Sequence, residues 1–237
     1  MSHRDPRYDI LFEEVQIGPI TTPNRFFSVP HATGHNPLMP NGSIGMREMK
    51  AEGGWGVVCM QLAEIDPTSD ISNLPMEKFW DDTDIKSHAL LVERIKRHGA
   101  LTAIELAHTG IRARNMDTGT PVLGPSSMRI LKPQNPIQSK AMDKQDIKAF
   151  RESHKRAVHR AKQAGYDMVS SMLRMTPRWS GTFSIPCTIT VRMNTADRSK
   201  IACVYCVRFW KTQWRPLLAT SPWRSAFRLT ISSPAVR

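Results

Sequence analysis

Two stretches constrain the fold more than any others, "WGVVCMQLAEI" (55–65) and "ALTAIELAHTG" (100–110). Each is a nearly continuous apolar run with β-branched residues. Neither shows the polar alternation of a strand with one wet face. Such runs suit parallel strands covered on both sides. Between them lies "DDTDIKSHALLVERIKRHG" (81–99), in which Ile85, Ala89, Val92 and Ile95 share one helical face. Asp82 or Thr83 is placed to cap its start, and Gly99 stands just past its end.

The same alternation continues on either side. "NRFFSVP" (24–30) predicts a strand after a proline turn, and "SIGMREMKAEGG" (43–54) a helix stopped by glycines. "DKQDIKAFRESHKRAVHRAKQAG" (143–165) predicts a helix with Ile147, Phe150, Ala157, Val158 and Ala161 inward, and "YDMV" (166–169) opens a fourth strand. Residues 111–142, rich in Pro, Ser and Gly, read as a loop. Strand–helix alternation makes the sheet parallel. Right-handed crossovers then leave a doubly wound sheet or a barrel. No G-x-G-x-x-G follows the first strand and there is no P-loop, which argues against a nucleotide-binding open sheet. The expected class is therefore α/β, a barrel, with its site where strands end and loops begin. Those ends are Pro30-His31-Ala32, Leu62-Ala63-Glu64, and Glu105 to His108.

Charge divides the chain. Of a net +12, residues 169–237 carry +10, with eleven Lys and Arg against the single acid Asp197, and the first 168 residues only +2. Four of six tryptophans and three of four cysteines also fall after residue 168. No run approaches the ~20 apolar residues that span a bilayer. The N-terminus lacks the apolar region of a signal peptide. One cysteine, Cys59, in the first part fits a reducing compartment, and a cytoplasmic location is expected.

"NRFFSVPHATG", "KAEGGWGVVCMQLAEIDPTSD", "HGALTAIELAHTG" and "GPSSM", in this order, resemble the Old Yellow Enzyme family of FMN-dependent (β/α)8 barrels. The likeness runs over roughly residues 8–169 and is nearest to the amine dehydrogenase branch, typified by trimethylamine, dimethylamine and histamine dehydrogenases. The resemblance implies that Pro30, His31 and Ala32 lie against the flavin ring. In trimethylamine dehydrogenase the third of these positions is a cysteine bonded to the flavin; Ala32 cannot form that bond, so FMN is expected to be held non-covalently. Leu62 matches a residue at the flavin or substrate face. Glu105 matches the position that hydrogen-bonds the pyrimidine edge of the ring, where most relatives carry glutamine and the amine dehydrogenases glutamate. His108 becomes a substrate-side candidate, the substrate class a small amine, and no catalytic residue is assigned. By residue type alone other readings stand: a strand glutamate is more often exposed or ion-paired, His31 and His108 serve equally as structural histidines, Pro30 as a strand end, and Cys59 as core.

The family continues with a motif of the form R-T-D-E-Y-G-G-S-x-E-N-R. It is absent as protein, but "MNTADRSKIAC" (193–203) stands near its expected place. Joining the third base of each codon to the first two of the next, Met193 to Cys203 can encode E-Y-G-G-S-I-E-N-R-M. The expectation is thus a partial FMN-binding barrel domain over residues 1–169 and an out-of-frame, disordered tail over 170–237. The C-x-x-C of Cys203 and Cys206 is then accidental, since a zinc site needs a second ligand pair, and no metal is expected. The Arg and Trp mixture binds polyanions only through charge, without a specific nucleic-acid motif. The alternative function is a non-functional product with such a tail. Unpaired sheet edges are expected to favour self-association.

Overall fold

The computed structural model describes residues 5–35, 38–70, 76–116, 118–124, 126–127, 129–130, 137–173 and 185–187. Along the chain run β1 (Val15–Ile17), β2 (Ile20–Thr22), β3 (Phe27–Ser28), α1 (Pro40–Glu52), β4 (Val57–Glu64), β5 (Glu77–Lys78), α2 (Ile85–Lys96), β6 (Leu101–His108), β7 (Val122–Gly124), β8 (Arg129–Ile130), β9 (Ile137–Ala141), α3 (Lys144–Gln163), β10 (Met168–Leu173) and β11 (Ile185–Cys187).

The main sheet has the order β11-β10-β6-β4-β3, with β5 beside the end of β4. Strands β3, β4, β6 and β10 pair in parallel and in chain order. Strand β11 joins β10 antiparallel. The helices decide which parallel architecture this is. Ile44 and Ala51 of α1, Leu91 and Ile95 of α2, and Phe150, Ala157 and Ala161 of α3 share one core with Val58, Met60, Ile104, Leu106 and Val169. All three helices therefore cover the same sheet face, the winding of a barrel and not of a doubly wound sheet. Ile95 and Ile104 are fully buried in that core, and burial of each is worth about 1.5–3 kcal/mol. The opposite, inner face carries Val57, Cys59, Ala103 and Met168, with Ile20 of the β1–β2 hairpin packed against them.

Local chemistry sets the element ends. Helix α3 opens on a capping box: the Asp143 carboxylate accepts the Asp146 N–H at 2.8 Å and Asp146 accepts the Asp143 N–H at 3.1 Å. Asp81, one residue before the expected cap, caps a 3-10 turn that leads into α2. Helix α1 starts at Pro40, three residues ahead of Ser43, because proline's fixed φ suits the first helical position. Gly99 and Gly165 end their helices at φ 76° and 89°.

Residues 111–142 are more than a loop. Strands β7 and β9 pair in parallel, and β8 joins β9 antiparallel. Hydroxyls hold this small sheet: Ser139 donates to the Ser126 carbonyl at 2.9 Å and Ser127 to the Ser139 carbonyl at 3.0 Å. After Val169, residues 174–184 and 188–237 lie outside the described residues, and Cys203, Cys206 and the hidden-frame stretch lie there with them.

Candidate active site at the strand ends

Inner-face side chains form layers whose members follow from strand register. Cys59, Ala103 and Met168 make one layer. A bulge comes next: Met60 pairs with Ile104 and Leu62 with Glu105, leaving Gln61 as an extra residue. The following layer is therefore Leu62, Glu105 and Ser170 across β4, β6 and β10. Regular alternation from Cys59 would have put Gln61 in that place.

Glu105 is 7% exposed. Burial first, and the Glu105 carboxylate second, push the Cys59 thiol well above its usual range. Cys59 is thus a protonated core residue without thiolate reactivity. Beyond β3, His31 and Ala32 are exposed, with Pro30 and Thr33 half-buried. The backbone of this strip is held from beneath: Arg47 Nη2 donates to the His31 carbonyl at 3.1 Å, and the Thr33 N–H donates to Gln61 Oε1 at 2.9 Å.

His108 faces the other way. It has the strand parity of Ile104 and Leu106, which face the helices, and its ring stands edge-on to Phe150 of α3. Its Nδ1 accepts the Gly110 N–H at 3.1 Å, so Nε2 carries the proton toward Thr68 Oγ1 at 3.4 Å. Burial pushes its pKa down to about 4, with Asp66 opposing and His154 adding. A neutral imidazole locked between a loop and a helix is a structural tie, and it does not join the layer of Glu105. The structure therefore brings Leu62 and Glu105 together and sets Pro30, His31 and Ala32 at the neighbouring strand end. Ser170, Gln61 and Arg47 are not expected from the sequence; the one available signal is a polar residue interrupting an apolar run or face.

Among the described residues, no group of three or more His, Cys, Asp or Glu gathers as a metal site would require. No helix there is long and apolar enough to cross a membrane. The narrow cavity lined by Ile44, Met60, Glu77, His88 and Leu91 lies between the sheet and the first two helices, away from the Glu105 layer.

Sequential parallel strands, helices on one face only, and polar groups at the strand ends on the other define the TIM type of barrel fold. The chain belongs to the NADH:flavin oxidoreductase / NADH oxidase family, which it matches over residues 10–172. It is 31% identical over 172 residues to dimethylamine dehydrogenase of Hyphomicrobium sp. (strain x), covering 70% of this chain and 23% of that protein. Among solved structures it resembles histamine dehydrogenase from Rhizobium sp. 4-9, with 41% identity, TM-score 0.68, and 71% of this chain on 26% of that one. It also resembles 6-hydroxypseudooxynicotine amine oxidase from Pseudomonas geniculata N1, with 45% identity, TM-score 0.67, and 70% on 25%. The chain thus spans about a quarter of the length of these relatives.

FMN is the cofactor of this family. The residues present fit its ring. Glu105 offers an inner-face carboxylate that can accept from a ring N–H, Leu62 an apolar contact in the same layer, and Ser170 a hydroxyl. Position 32 is alanine, whose methyl group forms no thioether, so FMN is non-covalent at this position. When bound, the flavin supplies the hydride chemistry, and the protein's share is orientation and electrostatics.

Proposed function

We propose that residues 8–169 are the ring-facing half of an amine-oxidising FMN oxidoreductase, with a small amine as substrate. In this reading Pro30, His31 and Ala32 line the ring, Leu62 and Glu105 meet its substrate face and pyrimidine edge, and no described residue is assigned as the catalytic acid or base. The observation that carries the reading is the single inner layer of Leu62, Glu105 and Ser170, at the strand ends where barrels of this type hold their sites. Similarity to dimethylamine and histamine dehydrogenases supports an amine over an alkene as the substrate class. The test is anaerobic mixing of the FMN-loaded, frame-corrected full-length protein with a panel of primary, secondary and tertiary amines. Bleaching of the oxidised flavin band by one class supports the reading; bleaching by NADH alone removes the amine.

A second observation favours a further reading of residues 170–237. The family match stops at residue 172, and nearly all the net charge lies beyond residue 168. We infer that this segment is translated out of frame, and that the protein as given is inactive, with a basic segment that binds polyanions through charge alone. The coding DNA tests this. A shift of one base near codon 169 that opens a frame encoding E-Y-G-G-S-I-E-N-R-M supports it, and a coding sequence with no such frame removes it.

A further inference from the structure

We propose that Arg47 and Gln61 are positioning residues that clamp the strip 30–33, and that a buried polar row runs inward from the clamp through Glu77 and His88 to Tyr166. The inference rests on reading this strip as flavin-facing. The strip belongs to no strand or helix, so its backbone groups need partners from elsewhere. Two are side chains beneath it. Arg47 gives Nη2 to the His31 carbonyl at 3.1 Å and Nη1 to Ser43 Oγ at 2.6 Å. Gln61 takes the Thr33 N–H on Oε1 at 2.9 Å.

The row continues inward. Gln61 Nε2 donates to Glu77 Oε2 at 3.4 Å, and Glu77 Oε1 lies 3.1 Å from His88 Nε2. His88 Nδ1 lies 2.7 Å from the Tyr166 hydroxyl. The His88 Nε2 contact with Glu77 is close but lacks hydrogen-bond alignment, so His88 is tied by its hydrogen bond to Tyr166 and only by proximity to Glu77. Arg47, Gln61, Glu77, His88 and Tyr166 are all at most 7% exposed. Burying so many polar groups under an apolar core is costly unless each is satisfied. The hydrogen-bonded part of the row, from Thr33 through Gln61 to Glu77, fixes one geometry for the strip. The strip is open to solvent above and fixed below, the arrangement a flat ring laid on it would require. Gln61 reaches it only because the β4 bulge frees that residue from the inner layer.

The test is hydrogen exchange of the full 237-residue chain, with an FMN titration on the same samples. In Gln61→Met the Thr33 amide loses its acceptor and exchange across the strip should accelerate about tenfold, while amides of β6 keep their rates. Arg47→Lys, which retains charge but not the two-pronged reach, should loosen the same strip. Localised acceleration with FMN affinity weakened by a similar factor supports the whole inference. Localised acceleration with FMN affinity unchanged from the parent supports the clamp and overturns the flavin reading. Unchanged exchange in the strip, a strip that already exchanges freely in the parent, or even acceleration over strip and β6 alike in both variants overturns the clamp.

Discussion

The imidazole of His108 stands perpendicular to the ring of Phe150, centroids 5.2 Å apart, and so ties the end of β6 to α3. Burial holds its pKa at about 4 against an ordinary 6.5. The unfolded chain therefore takes up this proton first as pH falls. The stability that a neutral His108 provides is complete above about 6.5 and is lost on descent to about 4, on the order of 3 kcal/mol over the window. His154, also pushed down by burial, acts in the same sense. His108→Leu should flatten part of this slope. Urea midpoints measured at steps across the window check it; parallel slopes for parent and variant would show that His108 does not titrate with unfolding.

Glu105→Ala should weaken FMN binding about tenfold, roughly 1.4 kcal/mol, because a ring N–H loses a charged acceptor. Glu105→Gln keeps an acceptor and should recover most of the affinity. Equal dissociation constants for all three proteins would remove Glu105 from the flavin edge.

Any flavin bound should leave the polypeptide on acid precipitation, since Ala32 has no sulfur to bond it. Yellow colour retained in the washed pellet would contradict that and would demand another covalent attachment point.

Asp167 tests the fold without reference to a cofactor. One carboxylate oxygen accepts the Thr102 N–H at 2.8 Å and the Thr102 hydroxyl at 2.9 Å, and the other accepts Lys96 Nζ at 2.7 Å. The residue joins the starts of β6 and β10 to the end of α2. Asp167→Ala leaves a buried strand N–H without its partner and should cost about 1–3 kcal/mol. A change under about 0.5 kcal/mol, the range of ordinary surface substitutions, would mean that water replaces the carboxylate.

The elements that could be foreseen are those whose burial dictates composition. Strands β4 and β6 are covered on both faces and so are written as apolar runs, and α3 declares itself through its inward face and its acidic cap. The β7–β9 sheet gave no such sign, because its strands are short and residues such as Gln138 and Lys140 stay exposed. Leu62 and Glu105 were legible as a pair only through family likeness. The direction of His108 and the roles of Arg47, Gln61 and Glu77 were not legible, since they depend on which distant backbone each side chain meets.

The β4 bulge has a consequence for how this protein can change. Deleting a residue from a strand ordinarily reverses the facing of everything beyond it, exchanging core for solvent. Here Met60 and Leu62 already oppose successive residues of β6. Removing Gln61 would leave every later side chain on its present side and every rung of the ladder intact, while the strip at Thr33 would lose its anchor. Architecture and the setting of the 30–33 strip are thus written at separate positions of one strand, and either can drift while the other is kept.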